Sequence, residues 1–198
     1  MTKEYFNQMA ATWDEIAAEK DLTKLERLAQ CLDIKSGSTV LDVGTGTGIF
    51  IPFLLEKIGK TGRLVALDFA EEMLQRAQAK GFNPNIEYLN ADITCVPLPD
   101  EVFDAVVCYS SFPHFHDKPR ALREINRLLK KGGKIFICHT SSRAEINRIH
   151  RQIVVLVNDT IPENTEMRDI LSEAGFSDIN IIETAESYLT SARKRNRL

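Results

Sequence analysis

Asp42, Gly44, Gly46 and Gly48 alternate through the stretch 40–50, which reads Val-Leu-Asp-Val-Gly-Thr-Gly-Thr-Gly-Ile-Phe. Residues without a Cβ let a ligand lie against the main chain, and glycine reaches backbone angles closed to other residues. A loop that opens a helix also offers free N–H groups and a positive dipole end, which favour an anionic group. The acid in front of the loop argues the other way. Asp42 would repel a pyrophosphate and would suit a ligand carrying an ammonium or a sulfonium. Two familiar phosphate loops are excluded by residue type. The fingerprint G-x-G-x-x-G asks for glycine where Ile49 stands, and the P-loop asks for Gly-Lys-Ser/Thr where Gly48 is followed by Ile49 and Phe50. Taken alone, the stretch reads equally well as a tight strand-to-helix turn.

Two further acids end apolar runs. The segment Arg63-Leu64-Val65-Ala66-Leu67-Asp68 reads as a strand whose final carboxylate can accept hydrogen bonds from both hydroxyls of a ribose. Asn90-Ala91-Asp92-Ile93 closes the next run, where a carboxylate can reach an adenine amino group. Phe103–Cys108 and Lys134–Cys138 supply two more strands, the second entered through Leu128-Leu129-Lys130-Lys131-Gly132-Gly133. With these motifs in this order, the chain from about Val40 to its C-terminus resembles the class I S-adenosylmethionine (SAM)-dependent methyltransferases. Within them it is similar to the small-molecule methylases of the ubiquinone and menaquinone biosynthesis type. The resemblance implies SAM as cofactor and S-adenosylhomocysteine as product, held by Asp42, Gly44, Thr45, Gly46, Gly48, Asp68, Phe69, Met73, Ala91, Asp92, Ile93, Tyr109 and Ser110. Phe69 and Met73 would flank the ribose and adenine, although Met73 reads equally as core filler. The resemblance also implies a single Rossmann-like α/β domain over residues 1–198. Its mostly parallel seven-stranded sheet would have the order 3-2-1-4-5-7-6, with the last strand antiparallel. Residues 1–34 would be N-terminal helices forming part of a lid, and 39–198 the SAM-binding core.

A sulfonium methyl is already activated, so such a protein mainly aligns nucleophile, methyl carbon and sulfur. A base is needed only where the nucleophile holds its proton tightly. The segment 110–117 reads Ser-Ser-Phe-Pro-His-Phe-His-Asp. Amino-methylating DNA enzymes carry Asn/Asp-Pro-Pro-Tyr/Phe at that place, and its absence counts against methylation of planar base nitrogens. His114 and His116 are candidate bases near neutral pH, or else pocket residues. Phe112 and Phe115 are candidates for an apolar acceptor pocket, with Tyr5 and Trp13, although Trp13 reads equally as packing for its helix. His139 ends the fifth strand, facing the same cleft, and with Glu145 and His150 makes a thin acid/histidine cluster. Its spacing matches no common site, so no metal is expected, and substrate contact or a helix cap is the reading. The expected activity is methyl transfer to oxygen, carbon or another soft nucleophile of a small molecule. Methylation of a macromolecule and a non-catalytic SAM-binding module stand as alternatives.

The elements that must position these residues follow from periodicity. Phe6, Met9, Trp13 and Ile16 give one apolar helical face over 3–18, and Leu22, Leu25, Leu28, Ala29 and Leu32 another over 22–32. Helices are expected over 119–131, roughly 142–157 and 163–174, and strands over 86–89, 178–183 and 188–193, with a turn at 81–85. Alternation of strands and helices predicts a mainly parallel sheet covered on both faces, with ligands outside the carboxyl ends of the strands. Composition agrees with one globular unit: 198 residues, 43% hydrophobic and 27% charged. A net charge of −3 argues against a broad nucleic-acid footprint, and the charges on the 119–131 helix read as a solvated face. The basic tail Arg193-Lys194-Arg195-Asn196-Arg197 reads as a solvated terminus or as contact for an anionic partner. Cys31, Cys95, Cys108 and Cys138 form no C-x-x-C pair and read as reduced structural thiols. With no membrane-length apolar run and no signal pattern, a cytoplasmic monomer or homodimer acting on a small molecule is expected.

Overall fold

The computed structural model describes residues 2–16, 21–82 and 86–196, the side chain of Ile16 excepted. Residues 17–18 of the first expected helix, 83–85 of the expected turn and Arg197 of the tail lie outside these. The sheet is built from β1 (Thr39–Val43), β2 (Arg63–Asp68), β3 (Ile86–Asn90), β4 (Phe103–Tyr109), β5 (Leu129–His139), β6 (Phe176–Glu183) and β7 (Tyr188–Lys194). Its order is β3-β2-β1-β4-β5-β7-β6. The pairs β1–β2, β1–β4, β2–β3 and β4–β5 are parallel, and β7 runs antiparallel between β5 and β6. Both the order and the antiparallel β7 are as the resemblance implied.

Strand parity explains the two cores. Val40 pairs with Leu64 and Ala105, and Leu41 with Val65 and Val106. Successive side chains leave opposite faces of a strand. One face, formed by Leu41, Val43, Val65, Leu67, Val106, Cys108, Ile135 and Ile137, meets α6 (Lys118–Leu128) and α8 (Asn164–Glu173). The other face, formed by Val40, Leu64, Ala66, Ala105, Val107, Phe136 and Cys138, meets α3 (Leu22–Cys31) and α4 (Ile51–Ile58). A strand buried on both faces must be apolar throughout, which is why these strands read as continuous hydrophobic runs. The thiols of Cys108 and Cys138 are buried among these side chains.

Four element boundaries differ from the periodic reading. The N-terminal helix is two helices, α1 (Thr2–Met9) and α2 (Trp13–Ile16). Thr12 breaks it, since its N–H and its hydroxyl both donate to the Met9 carbonyl, a local bond that competes with the helical ladder. The 119–131 helix stops at Leu128, because Leu129 turns to extended angles and pairs with Phe103 in the sheet. The 142–157 helix is α7 (Arg143–His150) followed by a 3₁₀ turn at Val154–Leu156. The β-branched run Ile153-Val154-Val155 is a poor helix former, and Val154 is 89% exposed. Strand β6 starts at Phe176, two residues early, and absorbs a register shift between Ser177 and Asn180. The basic tail begins inside β7, where Lys194 Nζ donates to the Leu129 carbonyl at 2.7 Å and Arg193 to that of Gly132 at 3.0 Å. Among the described residues no helix is long and apolar enough to cross a membrane.

Candidate functional site

Strand order reverses between β1 and β4, so the loops that leave their carboxyl ends part there and open a crevice. The loop after β1 is pinned to its neighbours. The N–H groups of Gly44 and Thr45 both donate to the Leu67 carbonyl, at 2.7 and 3.0 Å. After β4, the Ser111 hydroxyl donates to the Val43 carbonyl at 2.5 Å, and the Ser110 N–H to the Cys138 carbonyl at 2.9 Å. Ser110 is held at φ 51°, a strained angle for a residue with a side chain, on the wall of the crevice.

The three glycines of the loop do three different things. A Cβ on Gly44 would stand 2.4 Å from the Ser111 Cβ, so this glycine lets the β1 and β4 loops touch. A Cβ on Gly48 would stand 2.8 Å from the Phe82 ring and 3.2 Å from Ala77, so its role is packing. A Cβ on Gly46 would meet nothing within 4 Å. Only Gly46 leaves bare backbone facing open space.

That space is a cavity of about 560 Å³. One end is lined by Gly44, Thr45, Gly46, Thr47, Ile49, Asp68, Phe69, Met73, Tyr109 and Ser110. The other is lined by Tyr5, Phe6, Trp13, His114, Phe115, His139, Thr140, Ile146, Ile149, His150, Ile153 and Leu156. The first end is acidic. Asp68 is buried, and its carboxylate accepts the Gly46 N–H at 2.8 Å and the Ala70 N–H at 2.8 Å. Burial raises its carboxyl to about 6 against those bonds. Asp42 is buried just behind the wall and accepts the Thr45 hydroxyl at 2.7 Å. Burial, with the nearby Asp68, pushes it up to about 7. Burial works against ionisation of both neighbouring carboxyls, and a cation beside them would favour their charged forms. The bare backbone at Gly46, the two acids and the Phe69 and Met73 side chains therefore fit a flat, hydroxylated, cationic ligand such as SAM.

The second end is apolar with a polar strip. Phe6 is central to it, its ring 5.5 Å from Trp13, 6.0 Å from Phe69 and 4.9 Å from His114, each edge to face. Tyr109 stacks on Phe50 at 4.5 Å, and its hydroxyl lies 3.2 Å from that of Thr140. His114 Nδ1 is 2.8 Å from the carboxylate of Asp159. Burial lowers the His114 imidazole although Asp159 opposes it. His139 is buried, its Nε2 has no hydrogen-bond partner among the described residues, and burial pulls it down to about 3. Among the described residues no cluster of His, Cys, Asp or Glu could hold a metal ion.

Several expected site residues stand elsewhere. Phe112 is fully buried in the core, edge to face with Phe115, because the 3₁₀ turn Phe112–His114 directs these neighbours differently. His116 is exposed. Glu145 pairs with Arg148 at 2.7 Å and is not on the cavity wall. Asp92 is exposed and accepts the Thr94 N–H at 2.8 Å, and Ala91 and Ile93 are also off the wall. Gly48 packs helices, as described. Asp159, Thr47 and Asp14 were not singled out from the sequence. The Thr47 hydroxyl donates to Asp14 at 2.5 Å, and Lys80 pairs with the same carboxylate at 2.8 Å, which ties α2 to the loop and to α5 (Glu71–Ala79).

Residues 41–137 match the family described as a methyltransferase domain. The ubiquinone/menaquinone biosynthesis C-methyltransferase UbiE of Escherichia coli is 34% identical over 115 residues, 56% of this chain and 46% of the relative. The chain thus spans about half the length of the curated relatives it matches. A SAM-dependent methyltransferase from Aquifex aeolicus superposes with a TM-score of 0.69 at 24% identity, over 96% of this chain and 97% of that one. The Haloferax volcanii protein solved in complex with the Trm112 methyltransferase activator superposes with a TM-score of 0.80 at 22% identity, over 96% and 98%. These solved structures share the fold described above.

Proposed function

We propose that this chain, a class I SAM-dependent methyltransferase by family match over residues 41–137 and by fold, transfers a methyl group to a small acceptor with an apolar body. The observation that carries the reading is the pair of buried carboxyls, Asp42 and Asp68, beside the bare backbone of Gly46. When bound, SAM supplies a methyl carbon already activated by its sulfonium. Asp68 would accept from the ribose, Phe69 and Met73 would flank the nucleoside, and Asp42 would balance the positive charge. The aromatic end of the cavity, around Phe6, Trp13 and Phe115, would hold the acceptor in line and keep water out. Residues 1–34 serve as part of the lid over the cavity, in keeping with the bonds from Asp14 to Thr47 of the glycine loop and to Lys80.

Calorimetric titration with SAM tests the reading, and it carries a proton signature. Burial holds Asp42 partly protonated below about 7 and Asp68 below about 6. A bound cation favours their ionised forms, so SAM binding is expected to release protons at pH 6 and none at pH 8. Titration in buffers of different ionisation enthalpy reads that release directly. The neutral thioether S-adenosylhomocysteine should release fewer. The same shifts give the ligand-free protein a stability that falls as pH rises from about 4 to about 7, since the folded state binds more protons there than the unfolded chain. Failure of both ligands to bind would remove the assignment.

The Asp14 bonds that tie α2 to the glycine loop and α5 make a smaller prediction. Replacing Asp14 by alanine removes its bonds to Thr47 and Lys80, which are partly exposed and together worth about 1 kcal/mol. SAM affinity should fall by roughly fivefold with little change in melting temperature. An unchanged affinity would show that α2 does not close on the cofactor.

A further inference from the structure

Asp159 holds two histidines at once. Its carboxylate faces Nδ1 of His114 at 2.8 Å, and its backbone carbonyl faces Nδ1 of His150 at 2.5 Å. A carbonyl oxygen only accepts, so Nδ1 of His150 carries the hydrogen; against a carboxylate, Nδ1 of His114 donates likewise. Each neutral ring is then left with a lone pair on Nε2. Both rings line the cavity, with centroids 4.9 Å apart. The arrangement is braced from two sides. Lys118 Nζ donates to the carbonyls of Pro113 and Phe115 at 2.9 and 3.1 Å, fixing the turn that carries His114. Asn147 exchanges two hydrogen bonds with the backbone of Ile161, at 2.9 and 3.0 Å, fixing the segment that carries Asp159. Nothing in methyl transfer to an already nucleophilic acceptor needs two preset imidazole bases.

We propose that Asp159 sets His114 as the general base, with His150 beside it, for an acceptor of the phenol class that is methylated on oxygen. The proposal rests on the methyltransferase reading above. In the step, the phenolic proton passes to Nε2 of His114 and an oxygen electron pair forms the new C–O bond. The electron pair of the broken C–S bond stays on sulfur, leaving a neutral thioether. The imidazolium then returns its proton to water through His150. Amines attack as neutral bases and thiols ionise near neutral pH, so neither needs this device; hydroxyls do, and a phenol is the more acidic hydroxyl. The groups facing His114 are Asp159, His150, Lys118 and His139, and only the first is an acid. Aromatic walls at Phe6 and Phe115 suit a flat ring.

The test uses a graded series of phenols, from unsubstituted phenol to nitrophenols that are ionised at assay pH, with the whole protein and SAM. Wild type should give O-methyl ethers. Asp159→Asn should lose about 100-fold in kcat on weakly acidic phenols and less than about threefold on the pre-ionised ones, with SAM affinity unchanged. An equal loss across the series would make Asp159 a structural residue and overturn the proposal. So would a C-methylated product, or turnover of amines or thiols in place of phenols. SAM binding without turnover of any phenol also overturns it, whereas absence of SAM binding would bring down the methyltransferase reading itself. Nitrogen-15 spectra of the ligand-free protein give a readout independent of activity and of the variant's folding. His114 and His150 should both be Nδ1–H tautomers in wild type, and an Nε2–H tautomer at His114 would overturn the assignment.

Discussion

Replacing Gly46 by asparagine is expected to abolish SAM binding in a protein that still folds. Gly46 sits at φ 56°, in the left-handed region, where asparagine is among the few residues tolerated. A Cβ there touches nothing within 4 Å, so no neighbour has to move. The side chain instead occupies the open space that the bare backbone offers to a ligand. A loss of at least about 100-fold in affinity, ~2.7 kcal/mol, should accompany a change in melting temperature of only a few degrees. Gly48→Ala makes the opposite prediction. Its new methyl would stand 2.8 Å from the Phe82 ring, 3.0 Å from Ile51 and 3.2 Å from Ala77. Overpacking of this kind costs about 1–3 kcal/mol of stability, and the residual folded protein should still bind SAM. Calorimetry and thermal unfolding on the two variants separate the roles. Wild-type affinity in Gly46→Asn would show that the loop is not a cradle.

The two glycines look alike in the sequence because the alternation that marks them says nothing about what lies above each one. What was legible was the part of the fold governed by local rules. Val40-Leu41, Leu64–Leu67 and Ala105–Tyr109 are apolar without alternation because both faces of each central strand are covered. Asp42 and Asp68 were legible because each breaks such a run near its carboxyl end, where the sheet places ligands. Boundaries decided by distant contacts were not legible. Leu129 continues the apolar face of α6 by spacing, and only its pairing with Phe103 makes it the start of β5. Asp159 carried no signal, since its partner His114 is 45 residues away and the chain between them is mostly strand and helix. Phe112 and Phe115 have the same composition and nearly the same place, yet a 3₁₀ turn buries one in the core and leaves the other on the cavity wall. Side-chain direction in such a turn depends on what the turn packs against, here the Lys118 clamp and the Phe6 ring.

Asp68→Asn is expected to weaken SAM binding by roughly 2–4 kcal/mol, about 30- to 1000-fold, through two separable effects. The carboxylate of Asp68 is both ligand and bracket. One oxygen accepts the N–H of Gly46 and the other that of Ala70, which joins the glycine loop to the start of α5. A lone pair that these N–H groups leave unused remains for a ribose hydroxyl. Asparagine keeps one carbonyl oxygen and sets an amide NH₂ against an N–H that had an acceptor, so one bracket bond and one ribose bond are lost together with the charge. The pH dependence distinguishes charge from bracket. Protonation of Asp68 near 6 and of Asp42 near 7 should make wild-type SAM affinity fall as pH drops through that range. In Asp68→Asn the lower step should vanish and the upper one, belonging to Asp42, should remain and move down, because the neighbouring carboxylate that helped raise it is gone. A variant that loses affinity but keeps both steps would place the titrating groups elsewhere. A variant with wild-type affinity at pH 8 would show that neither the charge nor the bracket of Asp68 contributes to holding the cofactor.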